Sequence, residues 1–338
     1  MTELDPSRLS LDFSVAVVAA IICAVLIRLL KPWLQRYALA RPNARSSHAV
    51  PTPQGAGIAV IAATLLVSGV AAVLLHIGVQ ATLFASTVFI ALVGFADDIR
   101  PISVLPRLLL QAAAVGAVVF TVPLELRVAP SLPLVVERGV VLVAGLWFVN
   151  LVNFMDGLDL MTAAEVVPVA GALVLLGWLG DLPVMPTIMA AALGGAMLGF
   201  APFNRPVAKV FLGDVGSLPI GLLLGWCLLQ LALSGHVAAA LLLPLYYLMD
   251  ATLTLLRRMS NGEPFWAAHR SHFYQRATDN GYSVMRVVSE VFVLNLVLAA
   301  LAIASARLGT ALFDALCLVA GAAAVGLVLS RFARRLKA

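Results

Sequence analysis

The sequence has 338 residues, of which 62% are hydrophobic and only 12% are charged, with a mean hydropathy of +1.02 and a net charge of +5. These values lie far outside the range of water-soluble globular chains and exclude a soluble enzyme or binding domain. We therefore expect an all-α, polytopic transmembrane protein that forms a single domain over residues 1–338.

Apolar runs of membrane-spanning length recur from one end of the sequence to the other. A helix needs about 20 apolar residues to cross the hydrocarbon core of a bilayer, and the runs approach this length. The first run closes on Arg28 and Lys31 rather than on a small-residue cleavage site, which indicates a retained anchor and not a signal peptide. The runs predict about 11 transmembrane helices: 15–30, 56–77, 81–96, 105–122, 132–152, 161–179, 183–200, 218–233, 237–256, 287–304 and 308–329.

The connections between these runs differ in charge. The third and eighth runs are short for a full crossing; if either run does not cross the membrane, every later loop changes side. With eleven crossings, 18 of the 22 Lys and Arg residues lie on one side and 4 on the other. Since Lys and Arg collect in cytoplasmic loops, we expect the N-terminus outside and the C-terminus in the cytoplasm. The positive net charge then follows from topology and lipid attraction, so we expect no nucleic-acid partner.

Polar side chains collect in the loops on the basic side, whereas the opposite loops are mostly short and plain. The three cysteines lie inside apolar runs without metal-ligand spacing and are predicted to be small core residues. Five loops on the basic side carry acids, amides, histidines and glycines. We predict that they form the active site: residues 31–55, 97–104, 153–160, 201–217 and 257–286.

Acidic residues follow the third and fifth predicted helices. At Asp97 and Asp98, the helix dipole and mutual repulsion both disfavour two carboxylates, so a positive group is expected nearby. Asp156 and Asp159 lie three residues apart in the segment "NFMDGLD". They share one helix face with the preceding asparagine if the helix continues; if Gly157 ends the helix, the loop gathers them instead.

Asp214 lies in the segment "FLGDVGS", between glycines that let the backbone approach a ligand. We expect Ser217 to cap the eighth helix, and a helix that starts after a glycine-rich turn is suited to phosphate. The acids of three loops, together with Asn153, predict a shared site for a hard cation, Mg²⁺ or Mn²⁺. The alternative is that each acid is a solvated loop residue or half of an ion pair, with these basic partners: Arg100, Arg205 and Lys209.

The last large loop supplies positive charge. Its segment "HRSH" places His269, Arg270 and His272 close together, a cluster of donors suited to a diphosphate. Zinc is the alternative for the two histidines, but no third nitrogen or sulfur ligand lies close in the sequence. Aromatic residues of this loop either cover a sugar or nucleobase or anchor the loop at the membrane surface: Phe265, Trp266, Phe273 and Tyr274.

Five motifs appear in a fixed order, each at the end of an apolar run: "PTPQGAG", "GFADDIRP", "VNFMDGLD", "FNRPVAKVFLGDVGS" and "HRSHFYQRA". Together they resemble the polyprenyl-phosphate N-acetylhexosamine-1-phosphate transferases, glycosyltransferase family 4, which includes MraY, WecA and WbpL. The resemblance spans residues 41–276. The last motif is similar to the WbpL-like branch, which starts O-antigen and related lipopolysaccharide or envelope glycans.

The resemblance implies a Mg²⁺-dependent transfer of sugar 1-phosphate from a UDP-amino sugar, a UDP-N-acetylhexosamine, to undecaprenyl phosphate, with release of UMP. It also implies a multi-pass protein of the bacterial inner membrane, surrounded by membrane lipids, with its active site in the cytoplasm. Related enzymes of this fold can dimerise, so a homodimer is the assembly that the resemblance allows.

Roles for single residues follow from the same resemblance. It implies that Asp97 and Asp98 form a catalytic pair, which either acts on the lipid phosphate as base or helps to hold the metal, and that the metal ligands are Asp214 and Asn153. In this reading the carboxyl of Asp159 contacts the uracil, while the "HRSH" side chains neutralise the diphosphate. The full set of implied substrate contacts is Asp156, Asp159, Asn204, Phe211, His269, Arg270 and His272.

The chain departs from the family pattern at several positions. Leu160 follows Asp159 where the family often has glycine, and "GAG" stands near Pro53 in place of three glycines. These changes, with the long "HRSH" loop, argue against the peptide-bearing sugar that MraY uses.

A transporter or flippase for an anionic lipid or nucleotide sugar is the alternative function, because ionisable residues at membrane depth also mark substrate pathways. Here the acids lie at helix ends on one face rather than at the midplane, which favours catalysis at the interface. A purely structural scaffold does not explain why five polar loops share one side.

Overall fold

The structure is a computed structural model that describes residues 6–40, 51–263 and 269–336. Those residues contain thirteen α-helices, a 3₁₀ turn at Ala201–Phe203 and one short antiparallel pair of strands, β1 (Leu39–Ala40) and β2 (Thr52–Pro53). The helices are α1 Pro6–Tyr37, α2 Gly57–Leu74, α3 Ala81–Ile99, α4 Val104–Phe120, α5 Leu134–Met155, α6 Met161–Trp178, α7 Val184–Phe200, α8 Asp214–Leu233, α9 Val237–Leu242, α10 Leu245–Ser260, α11 Phe273–Asp279, α12 Val284–Leu308 and α13 Ala311–Phe332.

Nine helices of the described part are long and apolar enough to cross a membrane, namely α1 to α3, α5 to α8, α12 and α13. Helix α4 is apolar but has 17 residues. The third and eighth runs, short in the sequence, form helices of 19 and 20 residues. The chain is therefore a multi-pass, all-α membrane protein, as its composition predicts.

The ninth apolar run does not form the single helix predicted for residues 237–256. It is divided into α9 and α10 by a turn at Leu243 and Pro244. Proline has no backbone N–H and its ring clashes with the preceding helical turn, which explains the break. Both parts of the run are helical, and the second part, α10, carries two arginines in its last turn, Arg257 and Arg258.

The first helix also differs from its predicted bounds. Apolar residues end near Leu30, but α1 continues to Tyr37, so the first loop begins later than predicted. Residues 41–50 of that loop lie outside the described part of the chain.

Helix α7 occupies the centre of the bundle and packs against α1, α2, α6 and α8. Every residue of α7 except Val184 and Leu198 is buried. By contrast, α1, α3 and α13 leave many large apolar side chains exposed, as expected for helices that face lipid. The helices around α7 therefore form the frame on which the loops of the predicted site are held.

Candidate active site

Helices α3 and α8 meet at the end of the bundle that carries the acidic residues. A Cβ atom added at Gly94 of α3 would lie 2.2 Å from the carbonyl oxygen of Asp214, so the two backbones are in direct contact. Helix α2 approaches the same place, because a Cβ added at Gly57 would lie 2.2 Å from Cα of Gly216. Small residues thus bring the ends of three helices together.

The carboxylate of Asp98 caps helix α8 from outside that helix. Its Oδ1 accepts a hydrogen bond from the amide of Asp214 (2.9 Å), and its Oδ2 accepts one from the amide of Val215 (3.1 Å). The side chain of Gln54, in the "PTPQGAG" motif, donates to Oδ1 as well. The prediction that Ser217 caps α8 is wrong: this residue lies inside the helix, fully buried.

Asp97 makes a different set of contacts. Its Oδ1 accepts from the amide of Ile102 (2.6 Å), and its Oδ2 forms an ion pair with Nη1 of Arg107 in α4 (2.7 Å). The positive group expected near the acidic pair is therefore Arg107, a residue that the sequence did not single out. The side chain of Asp97 also contacts that of Asp214.

The contact between Asp97 and Asp214 fits a divalent cation. Two carboxylates in contact repel each other unless a proton or a cation reduces their charge, and Asp98 adds further negative charge. Within residues 6–40, 51–263 and 269–336, no three His, Cys, Asp or Glu side chains form a complete metal cage. Mg²⁺ in proteins is usually held by one or two carboxylates together with substrate phosphates and water, which these two residues satisfy.

Asn153 lies beside the same carboxylates. Its Nδ2 donates to Oδ1 of Asp214 (2.8 Å) and to Oγ of Ser217 (2.9 Å). The structure thus brings the four residues predicted as catalytic or metal-ligating, Asp97, Asp98, Asp214 and Asn153, into one connected group.

The acids of the "NFMDGLD" segment are gathered by a loop and do not share a helix face, because α5 ends at Met155, before Gly157. Oγ1 of Thr162 donates to Asp156, and the amide of Ala208 donates to Oδ2 of Asp159 (3.0 Å). Burial, together with the charges of Asp98 and Asp159, raises the pKa of Asp156 to about 7, against the lowering effect of the hydroxyl donor Thr162.

Asn204 joins two of the predicted loops. Its Oδ1 accepts from the amide of Leu160 (2.6 Å), and its Nδ2 donates to the carbonyl oxygen of Val210 (3.0 Å). Leu160 has a φ of 64°, in the left-handed region where glycine is favoured. A glycine, which the family often has at this position, would adopt this left-handed conformation without strain.

Phe211 connects the first motif to the same loops. Its amide donates to the carbonyl oxygen of Pro53 (2.8 Å), and its own carbonyl accepts from the amides of Gly55 (3.1 Å) and Ala56 (3.0 Å). Its side chain is partly buried, and its predicted contact with a base stays a prediction.

The basic loop contacts the "NFMDGLD" loop through aromatic rings. His272 is 4% exposed, and its ring stacks with those of Phe154 (6.4 Å between centroids) and Tyr274 (5.8 Å). The ring of His269 lies 4.8 Å from that of His272. The hydroxyl of Tyr274 donates to the carbonyl oxygen of Phe154 (3.0 Å). Residues 269–279 are thereby held against residues 153–160.

The remaining residues of this loop are also placed. Nη2 of Arg270 lies 3.2 Å from Oδ1 of Asp279 and donates to Thr278 (3.3 Å). Tyr274 is fully buried, so it neither covers a ligand nor anchors the loop at the membrane surface. The guanidinium groups of two arginines lie over the ring of Phe273. The other two aromatic residues, Phe265 and Trp266, lie outside the described residues.

Asp250 of α10 belongs to this region but was not predicted. Its carboxylate is completely buried and lies 3.4 Å from Nδ1 of His272. The sequence did carry a signal, because Asp250 is the only charged residue in the apolar run 237–256.

An apolar cavity of about 270 Å³ lies between α4, α5, α8, α9 and α10. Its wall includes Trp147, Phe148, Trp226 and Leu248. The ring of Trp147 also contacts that of Phe154 edge to face (6.3 Å), so two aromatic rings separate the cavity from His272.

The sequence is similar to those of known transferases. The model of glycosyl transferase family 4 matches residues 80–232. A decaprenyl-phosphate N-acetylglucosaminephosphotransferase of Mycobacterium tuberculosis is 28% identical, over 75% of this chain and 72% of the relative. A probable undecaprenyl-phosphate N-acetylglucosaminyl 1-phosphate transferase of Bacillus subtilis is 26% identical, over 88% and 87%. A phospho-N-acetylmuramoyl-pentapeptide-transferase of Wolbachia is 34% identical, over 41% and 48%.

Proposed function

Because this chain belongs to glycosyl transferase family 4, we propose that it transfers the sugar 1-phosphate of a UDP-N-acetylhexosamine to undecaprenyl phosphate. UMP is the other product. The lipid-linked diphosphate sugar then starts the synthesis of an envelope glycan of the O-antigen type. The observation that carries the proposal is the cluster of Asp98, Asn153 and Asp214, joined by hydrogen bonds on the face where the basic loop is held.

The reaction requires two anionic substrates to meet beside several carboxylates. Mg²⁺, held by Asp214 and Asn153 beside Asp97 together with substrate phosphates, would supply positive charge that neutralises the diphosphate. His269, Arg270 and His272 donate to the same diphosphate from the opposite loop. Phosphoryl transfer depends mainly on such alignment and charge neutralisation, so the chain needs no covalent intermediate.

In the bond-making step, an oxygen of the lipid phosphate attacks the sugar-side phosphorus, and the bond from that phosphorus to the UMP oxygen breaks. We assign to Asp97 any proton carried by the attacking phosphate, because its carboxylate is the one in contact with Asp214. Asp98 uses both carboxylate oxygens to hold backbone amides of α8, so it positions Asp214.

The lipid acceptor has a matching surface in the apolar cavity beside α5. A polyprenyl chain is a branched hydrocarbon, and the cavity wall is almost entirely apolar. The ring contacts from Trp147 through Phe154 to His272 connect the cavity wall to the basic loop, which supports a lipid phosphate bound beside that loop. The excess of basic residues on this side supports a cytoplasmic site at the bacterial inner membrane.

The proposal is tested with purified protein and a panel of UDP-N-acetylhexosamines, including N-acetylglucosamine and 6-deoxy relatives. We expect UMP release that requires both polyprenyl phosphate and Mg²⁺ for at least one sugar. The matched control is Asp214→Asn, which keeps the size of the side chain and removes its charge. Release of UDP instead of UMP would show a glycosyl transfer that leaves the phosphates behind, and the proposal would be wrong.

A further inference from the structure

Asp250 is a buried carboxylate to which the proposed reaction assigns no role. It is 0% exposed and accepts four hydrogen bonds. Two come from the amides of Phe273 (2.9 Å) and Tyr274 (3.1 Å), and two from the hydroxyls of Tyr246 (3.2 Å) and Thr254 (3.3 Å). A buried carboxylate with this many donors has a fixed position and a fixed orientation.

The imidazole of His272 lies directly against this carboxylate. Its Nδ1 is 3.4 Å from Oδ1 of Asp250, within ion-pair distance, and forms no hydrogen bond in the described part of the chain. The ring stacks with those of Phe154 and Tyr274, at centroid distances of 6.4 and 5.8 Å. Since these neighbouring rings restrict rotation, the Nδ1 edge stays towards Asp250 and the Nε2 edge points away from it.

We propose that Asp250 is a positioning residue of the transfer reaction, which holds Nδ1 of His272 so that Nε2 donates to the diphosphate of the UDP-sugar. The inference rests on the proposed function. A carboxylate behind an imidazole determines which ring nitrogen carries the proton and stabilises positive charge on the ring. Asp250 touches no substrate in this scheme and acts through His272.

Asp250 also holds the first amides of α11, and that contact alone would give it a structural role. The two roles predict different couplings between Asp250 and His272. If Asp250 acts through His272, removing its charge has no further effect once the imidazole is gone. If it only stabilises α11, the two losses multiply, because the effect on α11 does not depend on the imidazole of His272.

A double-mutant cycle on the full-length protein separates these cases. The variants are Asp250→Asn, His272→Gln and the combination, assayed by UMP release at varied UDP-sugar and at varied polyprenyl phosphate. We expect each single variant to lose about 10-fold or more in kcat/KM for the UDP-sugar, with KM for the lipid unchanged. The double variant is expected to equal His272→Gln. Losses that multiply in the double variant overturn the proposal.

Two further variants test the role of charge. Tyr246→Phe removes one donor to the same carboxylate, keeps the volume and leaves the charge in place, so its UDP-sugar kinetics should equal the wild type. Asp250→Glu retains the charge and should be more active than Asp250→Asn; the reverse order contradicts the proposal. If Asp250→Asn fails to fold, Asp250→Ser replaces it in the cycle, because a hydroxyl can still accept from the α11 amides.

The wild type separates failure of the proposed function from failure of the positioning role of Asp250. If it releases no UMP with any UDP-N-acetylhexosamine, the proposed function fails and this inference fails with it. If it is active and the losses multiply, only the positioning role of Asp250 fails.

Discussion

Asp97 and Asp98 are adjacent in the chain, but their carboxylates make different contacts. Asp98 holds the amides of Asp214 and Val215, whereas Asp97 forms an ion pair with Arg107 and contacts Asp214. A repulsive pair at a helix end is thus divided into one carboxylate that orients α8 and one that, in the proposed reaction, faces the reacting groups.

Asparagine substitutions should separate these two roles. In Asp98→Asn, an amide NH₂ replaces one acceptor of the α8 amides, which should lower stability by roughly 1–3 kcal/mol. Asp97→Asn should lose about 100-fold in kcat with a smaller change in stability. Thermal unfolding in detergent and UMP release measure the two effects. If both variants keep near-normal turnover at saturating Mg²⁺, neither residue is the base.

Asp156 should make the protein less stable as the pH rises. Its folded-state pKa is raised from 3.8 to about 7, so between these values the folded protein retains a proton that the unfolded chain has lost. The free energy of unfolding therefore falls as the pH increases through this window. Asp156→Asn should flatten the dependence of the unfolding temperature on pH. The control is Asp279→Asn, an exposed carboxylate, and equal slopes for Asp156→Asn and wild type would contradict the assignment.

Leu160 adopts a left-handed backbone conformation that costs a non-glycine residue on the order of 1 kcal/mol. Leu160→Gly removes that cost and loses the packing of a partly buried side chain, so we expect stability close to the wild type. Leu160→Val places a β-branched residue in the same conformation and should be clearly less stable. The comparison of the two unfolding temperatures checks the conformation, and a more stable Val variant would be inconsistent with it.

At the level of elements, the approach of α3 to α8 sets the distance between the acidic residues. Gly94 lies one helical turn before Asp97 and Asp98, and its missing side chain allows the contact with the carbonyl of Asp214. The neighbouring atoms are backbone atoms, so they cannot yield as a flexible side chain would.

Gly94→Ala should therefore separate the two helices and lower both stability and UMP release. The matched control is Gly116→Ala in α4, where a Cβ would meet only side-chain atoms at 3.7 Å or more. That control should be neutral or slightly stabilised, by about 0.4–1 kcal/mol, because alanine restricts the unfolded chain. Equal effects of the two substitutions on activity would show that the α3–α8 contact does not position the site.

The elements were predictable where apolar periodicity was long, and less so where a single residue redirected the chain. Composition and run length predicted α2, α3 and α5 to α8, because helices in lipid must satisfy their own backbone groups. The break at Pro244 was missed because the run stays apolar on both sides of it. The cap of α8 was also missed: a cap supplied by another helix leaves no local signal.

For the whole molecule, the order of five motifs predicted which loops meet, although they are spread over more than half of the chain. It did not identify Gln54, Arg107 or Asp250, whose partners are known only once the helices are packed. The cation, the choice of UDP-sugar, the membrane orientation and the homodimer stay predictions that rest on family resemblance and charge pattern.

The central claim is that phosphorus moves to the lipid together with the sugar. The most direct measurement uses a UDP-N-acetylhexosamine labelled at the sugar-side phosphorus, with polyprenyl phosphate and Mg²⁺, and follows the label into the lipid fraction. We expect the label in the lipid, unlabelled UMP in solution, and a loss of about 100-fold or more in Asp214→Asn. The reaction is contradicted if the label stays in the water-soluble nucleotide with every UDP-N-acetylhexosamine. If, in addition, separately labelled polyprenyl phosphate crosses a vesicle membrane, the result favours a transporter.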